Sequence, residues 1–159
     1  PKKKAISKLE ILGGLIGTAV WATLYFNANR IVGVFESSGG KLELIAPVFN
    51  QEVLQQYWLI ILLVIGFEIV LAFYKLIKRQ WTKMLAIYNA LLQLFSATVF
   101  IVILVNPNIL NKDFLTHMID LFTVTAKQVE TWIVGGGVIS LLIFVAINVF
   151  EGFRKASIR

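Results

Sequence analysis

The stretch that decides the fold is residues 57–105, YWLIILLVIGFEIVLAFYKLIKRQWTKMLAIYNALLQLFSATVFIVILV. Two apolar runs, 57–77 and 84–105, are joined by a short basic turn at 78–83. Each run is about as long as the ~20 residues that a helix needs to cross a bilayer. Because the turn is so short, we expect the two helices to lie antiparallel. The stretch therefore predicts a pair of membrane-spanning helices.

Two further apolar runs flank this pair, at 9–26 and 132–150. The hydrophobic fraction of the 159 residues is 58%, above the roughly 45–50% of an average soluble protein. We therefore expect an all-α integral membrane protein, a bundle of four transmembrane helices. The loops and tails leave no room for a separate soluble domain, so residues 1–159 are predicted to form a single membrane domain.

The basic residues are sorted along the chain. Most of the 15 lysines and arginines flank the apolar runs in three groups, and Lys and Arg resist translocation across a membrane. These groups predict a plasma-membrane protein with both termini and the turn 78–83 in the cytoplasm, and with outer loops at 27–56 and 106–131. We therefore interpret the net charge of +6 as a basic rim that contacts anionic lipid and not as a site of direct nucleic-acid binding. The groups are Lys2, Lys3, Lys4 and Lys8; Lys75, Lys78, Arg79 and Lys83; and Arg154, Lys155 and Arg159. Since the chain begins at Pro1, we also expect a cytoplasmic part to precede the first group.

The outer loops contain signals of local structure. Residues 31–35 and 41–45 are compatible with β-strands on either side of Ser-Ser-Gly-Gly at 37–40, which predicts a short hairpin. Asn50 is placed to cap a helix that continues into the second span. Apolar side chains recur at helical spacing over 113–125, which predicts an amphipathic helix lying on the outer leaflet.

Small residues recur at four-residue spacing in the first and fourth runs. Gly13 and Gly17 form one such pair, and Gly136 and Ser140 form another. Small faces let membrane helices approach closely. They predict helix packing either within this chain or against a partner, including a second copy of the chain.

One acid and a polar stripe interrupt the spans. Glu68 is the only charge well inside an apolar run, where an ionised acid costs ~3 kcal/mol. Asn89, Gln93 and Ser96 share one face of the third run, and Glu68 and Gln93 each lie ten residues from the turn, about 15 Å along their helices. These four residues are predicted to form a buried polar cluster. It serves either as a hydrogen-bonded clasp or as a proton-linked or ligand-sensing site.

Other chemistry has little support. The chain has no Cys, and its one His, His117, has no companion, so neither a metal site nor a cofactor is expected. No nucleophile and base form a recognisable pair, and the chain is not predicted to be an enzyme. Asn148, late in the fourth run, is given no role.

The second hairpin resembles a known family. YKLIKRQWTKMLAIYNALLQLFSATVFIVIL at 74–104, NPNILNKDF at 106–114 and APVFNQEVLQQYW at 46–58 are similar to the membrane part of bacterial proteins with a HAAS signalling domain. The polar landmarks that carry the likeness are Asn50, Lys75, Arg79, Trp81, Asn89, Ser96, Asn106, Pro107 and Asn108. The resemblance implies membrane signalling associated with PadR-type transcriptional regulators. The small helical cytoplasmic domain that names the family is not recognisable in this sequence.

These patterns favour a sensor or regulatory module that couples signals in the membrane or at the outer face to a cytoplasmic partner. A transporter, a channel or an accessory subunit of a larger membrane complex is the alternative. The expected partners are the lipid bilayer and either another protein or further copies of the chain.

Overall fold

A computed structural model describes residues 5–158. Within this range, four helices are long and apolar enough to cross a membrane, as the sequence predicts. They are α1 (Lys8–Phe26), α4 (Trp58–Lys78), α5 (Lys83–Leu104) and α7 (Ala126–Ala156). In the most apolar 18-residue stretch of α7 only 6% of the residues are buried within the protein. Such low burial suits a helix surface that faces lipid. The predicted basic residues Lys2, Lys3, Lys4 and Arg159 lie outside the described range.

The start of α7 differs from the prediction. The predicted span begins at 132, whereas the helix begins at Ala126. Thr125 Oγ1 accepts a hydrogen bond from the Gln128 amide at 3.2 Å, and Gln128 Oε1 accepts one from the Thr125 amide at 3.0 Å. This reciprocal capping box satisfies backbone donors at the helix start. Hydropathy alone does not detect it, because the first turns of α7 are polar.

The connections contain short elements. These are α2 (Ala28–Ile31), β1 (Gly33–Ser38), β2 (Lys41–Pro47), α3 (Gln51–Gln56) and α6 (Lys112–Phe122). The predicted hairpin is present as an antiparallel pair of strands. Both strands are longer than predicted, and the first begins two residues later, at Gly33, because Ile31 belongs to α2. The hairpin turn is tighter, because Gly39 and Gly40 take positive φ angles of 57° and 79°, the geometry of a two-residue turn that glycine adopts without strain.

The described chain divides into two compact units. The first takes in the residues up to Trp21, then Leu59–Phe100, and then the chain from Ser140 onward. Its α4–α5 turn is closed by Arg79, which takes a left-handed φ of 61°, and by Thr82, whose hydroxyl accepts a hydrogen bond from the Leu85 amide. The segment before α1 also pairs with this turn, since the Ile6 amide donates to the Arg79 carbonyl at 2.9 Å.

The second unit comprises Ala22–Trp58 and Ile101–Ile139. Phe114 of α6 packs with Ala46 of β2 and Val129 of α7, and it is only 4% exposed. Much of the apolar face that the sequence assigns to the outer leaflet is therefore covered by the protein itself. Only Leu121 and Phe122, at the end of α6, are well exposed. Asn111 caps α6, which places its start one residue before the prediction.

The caps around α3 also position the second unit. Asn50 accepts a hydrogen bond from the Glu52 amide, as predicted, but the helix it caps ends at Gln56 and α4 begins separately at Trp58. The Asn50 amide donates to the Ile109 carbonyl at 2.7 Å. The Tyr25 hydroxyl donates to the Leu54 carbonyl at 2.6 Å. These bonds tie α1, α3 and the segment before α6 together within the unit.

Candidate functional site

The four residues predicted as a buried polar cluster line one cavity in the first unit. The cavity has a volume of about 530 Å³ and has walls from α1, α4, α5 and α7, within the ~300–1,000 Å³ range of small-molecule sites. Asn89, Gln93 and Ser96 are buried and form its floor on α5, while Glu68 is half-buried on α4. The sequence spacing thus places all four around a common space.

Exposed residues form the rim of the cavity. Gly13 and Gly17 of α1 and Phe144 of α7 are exposed, yet they line the same space as the buried floor. The cavity is therefore open between helices and is not sealed. For a membrane-inserted protein, such an opening would face lipid.

Asn89 is paired with a residue to which the sequence analysis gives no role. Its Nδ2 donates to Oδ1 of Asn148 at 2.8 Å, which joins α5 to α7. One turn later, Gly152 brings α7 close to α5: a Cβ at this position would lie 3.1 Å from the Trp81 ring and 3.4 Å from Asn89 Nδ2. The sequence signal for this contact is the polar Asn148 four positions before Gly152 in an apolar helix.

Three further polar groups of the cavity, Ser96, Gln93 and Glu68, form no hydrogen bond within residues 5–158. Ser96 is 7% exposed, and its Oγ has no hydrogen-bond partner in the described part of the chain. Gln93 is 8% exposed and also forms no hydrogen bond to a residue within 5–158. Glu68 forms neither a hydrogen bond nor an ion pair with any described residue. The clasp that would join Glu68 to the amides is therefore not formed here.

The polar groups are unevenly distributed along the cavity. Lys75, Asn89 and Asn148 lie at the end nearest the α4–α5 turn. Glu68 precedes Lys75 by about two turns of α4, so it lies farther from the α4–α5 turn. The far end is apolar. There the ring of Trp21 meets Phe100 edge to face, with centroids 5.3 Å apart.

A charged group, here called the turn-end cluster, comprises Glu10, Lys75, Trp81 and Lys155. Trp81 Nε1 donates to Glu10 Oε1 at 3.3 Å, and Lys155 Nζ lies 3.7 Å from the same oxygen. Lys75 Nζ lies 5.0 Å from the centroid of the Trp81 ring. The cluster joins α1, the end of α4, the start of α5 and the end of α7.

This cluster corrects an expectation about the basic turn. Trp81, which lies within that turn, is 4% exposed and packs in the core of the first unit, where Glu10 satisfies its indole N–H. Lys75 is expected at the surface with Lys78, Arg79 and Lys83, but it is half-buried and lines the cavity. The other three are exposed as expected.

The small-residue pairs are not close-packed within this chain. No atom of another described helix lies within 4 Å of where a Cβ would stand on Gly13, Gly17 or Gly136, and Ser140 is exposed. The tight contact of this kind in the second unit falls at Gly137, whose Cβ would lie 3.1 Å from Leu104. Packing of the predicted pairs against a partner stays a prediction.

Among residues 5–158, no group of three or more His, Asp or Glu side chains could hold a metal ion. No protein family, no curated protein and no solved structure matches the chain. The resemblance to HAAS-domain proteins therefore stays a prediction from the sequence.

Proposed function

We propose that this chain is a membrane-embedded sensor or regulatory module, and that the cavity of the first unit is its sensing site. An amphiphile from the bilayer enters the cavity and shifts the packing of the surrounding helices. The turn-end cluster carries this shift to a cytoplasmic partner. The chemistry is conformational, since a ligand can shift an equilibrium only by its differential affinity for the two states.

The observation that carries the proposal is the lack of partners for Ser96 and Gln93. A buried polar group without a hydrogen bond costs about 1–3 kcal/mol, and most such groups in native proteins are satisfied. Among the described residues, Ser96 Oγ is such a group. It lines one open cavity together with Gln93 and Glu68, which form no hydrogen bond there either. A ligand with a polar end satisfies them, and its apolar part fills the end lined by Trp21 and Phe100.

The placement of the protein belongs to the same proposal. The four apolar helices cross the plasma membrane, with both termini and the α4–α5 turn in the cytoplasm. The exposed Lys78, Arg79 and Lys83 then lie on the cytoplasmic side. The turn-end cluster lies on that side too, which is where a cytoplasmic regulator, such as the PadR-type proteins implied by the resemblance, would detect a change.

The first test is retention of a ligand. The protein, extracted from its membrane in mild detergent, is expected to carry a bound amphiphile by native mass spectrometry. Ser96→Leu fills the cavity and should lose this mass. Ser140→Leu makes the same change at an exposed position that does not line the cavity, and it should keep the mass. Equal retention by the two variants would contradict the proposal.

The second test is the relay. The natural chain has no Cys, so spin labels attached at Lys83→Cys and Arg154→Cys report a single distance. We expect its distribution to change when the purified protein is stripped of bound amphiphile and to return when membrane lipid extract is added. A distribution that stays the same would remove the regulatory part of the proposal.

A transporter or accessory subunit is the second candidate, and Glu68 is the observation that favours it. An unpaired acid inside an apolar helix is a common element of proton or ion pathways. Proteoliposomes separate the two functions, because a transporter moves its ligand or protons across the bilayer and a sensor only binds. Flux that requires Glu68 would favour the transporter.

A further inference from the structure

We infer that the ligand of this cavity is a lipophilic organic cation, a protonated amine that carries an apolar chain or ring. The inference rests on the proposed function, in which the cavity is the sensing site, and it names the class of ligand. It is argued from charge, from hydrogen-bond acceptors and from the aromatic wall.

Charge is the first step. Glu68 lines the cavity, and no Lys, Arg or His nitrogen of the described residues lies within ion-pair distance of its carboxylate. Lys75 also lines the cavity and attracts the Glu68 carboxylate. It lies seven residues away, about 10 Å along α4, and its Nζ lies against the Trp81 ring, so the two groups do not form a salt bridge. A carboxyl group in an apolar cavity is neutralised by a proton or by a cation. A bound ammonium group supplies the cation and replaces the proton.

Hydrogen-bond acceptors are the second step. A primary ammonium group donates three hydrogen bonds and accepts none. The unpartnered Ser96 Oγ and the side-chain carbonyl of Gln93 line the cavity with the Glu68 carboxylate, and all three can accept. An anionic head group at these acceptors would meet the Glu68 carboxylate as a like charge, because Lys75, the cation of the same lining, lies at the turn end against the Trp81 ring.

The aromatic wall is the third step. Trp21 and Phe100 meet edge to face and line the cavity, and Phe144 lies on its rim. These rings stand at the apolar end of the cavity and provide surface for an alkyl chain or a ring system. The cavity thus offers an acid and acceptors to the cationic end and an apolar wall to the remainder.

The test is direct binding in nanodiscs of phosphatidylcholine. The probe is an alkylammonium of dodecyl length brominated at its tail, which quenches Trp fluorescence. The saturable part of the quenching should be lost in Trp21→Phe, whereas quenching of the exposed Trp58 and Trp132 by probe dissolved in the bilayer should remain. Glu68→Gln should weaken binding at least about tenfold, whereas Glu43→Gln, the same change on the exposed hairpin, should not alter it. The brominated carboxylate and alcohol of equal chain length should bind more weakly than the ammonium.

A second comparison keeps the test usable if Glu68→Gln does not fold. The wild type should bind the primary ammonium more tightly than the trimethylammonium of the same chain, which has no N–H to donate. Gln93→Leu should reduce this preference. Equal binding of the two cations by the wild type would overturn the role given to the acceptors.

The outcomes also separate this inference from the proposed function. Tighter binding of the carboxylate, or unchanged ammonium binding in Glu68→Gln, overturns the ligand class and leaves the sensing cavity in place. Two negative results together would show that both the ligand class and the cavity as a sensing site are wrong. The first is that none of the three amphiphiles quenches Trp21. The second is that Gly17→Leu at the rim leaves the retention of a bound amphiphile unchanged.

Discussion

Asn148 and the four side chains predicted as a polar cluster fall into two groups. Asn89 and Asn148 satisfy each other across α5 and α7. Glu68, Gln93 and Ser96 have no hydrogen bond to a described residue. The first pair holds helices together, and the remaining groups are available to a ligand. Residues on one polar stripe therefore differ in role, although their spacing in the sequence does not distinguish them.

Replacing Glu68 tests whether it stabilises the fold. A hydrogen-bonded clasp predicts that Glu68→Leu loses more stability than Glu68→Gln. Since the structure gives Glu68 no partner among the described residues, we expect both variants to be at least as stable as the wild type. Thermal unfolding in detergent measures this. A marked loss in Glu68→Leu alone would restore the clasp.

The Asn89–Asn148 bond is expected to contribute modestly. Hydrogen bonds between membrane helices average about 0.6 kcal/mol, with values up to about 1.7. A double-mutant cycle with Asn89→Ala and Asn148→Ala should give a coupling free energy in that range. Thr98→Ala with Asn148→Ala is a matched cycle, because Thr98 bonds only within its own helix. It should give no coupling, and similar coupling in both cycles would argue against a direct contact.

Capping decides where the helices begin and end. Thr125, Asn50, Asn111 and Thr82 each accept a backbone hydrogen bond at a helix start. Asn50 is the cap that the sequence analysis identifies. The box at Thr125 and Gln128 extends α7 by six residues beyond the predicted span, because capped polar turns can precede an apolar segment.

Removing the cap at Thr125 should shorten α7. Thr125→Ala should cost about 1 kcal/mol and raise amide hydrogen exchange in the first turn of the helix. Thr131→Ala removes a hydroxyl that bonds within the same helix, and it should leave the helix start unchanged. Equal exchange in the two variants would show that the box does not fix the boundary.

For the whole molecule, the distribution of charge sets the expected orientation. The short α4–α5 turn carries exposed Lys78, Arg79 and Lys83, whereas the strands of the β1–β2 hairpin contain both acidic and basic residues. Lys and Arg remain on the cytoplasmic side during insertion. The turn and the hairpin are therefore expected on opposite sides of the membrane.

Labelling of single cysteines measures this orientation. Because the natural chain has no Cys, Ser37→Cys and Arg79→Cys each give one reactive site. A membrane-impermeant maleimide on intact cells should label position 37 and reach position 79 only after the membrane is opened. The reverse pattern would invert the topology and move the proposed relay to the outer face.

The sequence by itself determined the four long apolar helices, the strand hairpin and the common face of Asn89, Gln93 and Ser96. These follow from hydropathy, turn chemistry and the 3.6-residue period, which are local properties of the chain. The tertiary structure alone decided that Asn148 pairs with Asn89, that Trp81 is buried against Glu10, and that Gly13 and Gly17 border an open cavity. Each of these depends on which helices contact each other. Local patterns in a single sequence report the structure of one segment and not its contacts with distant segments.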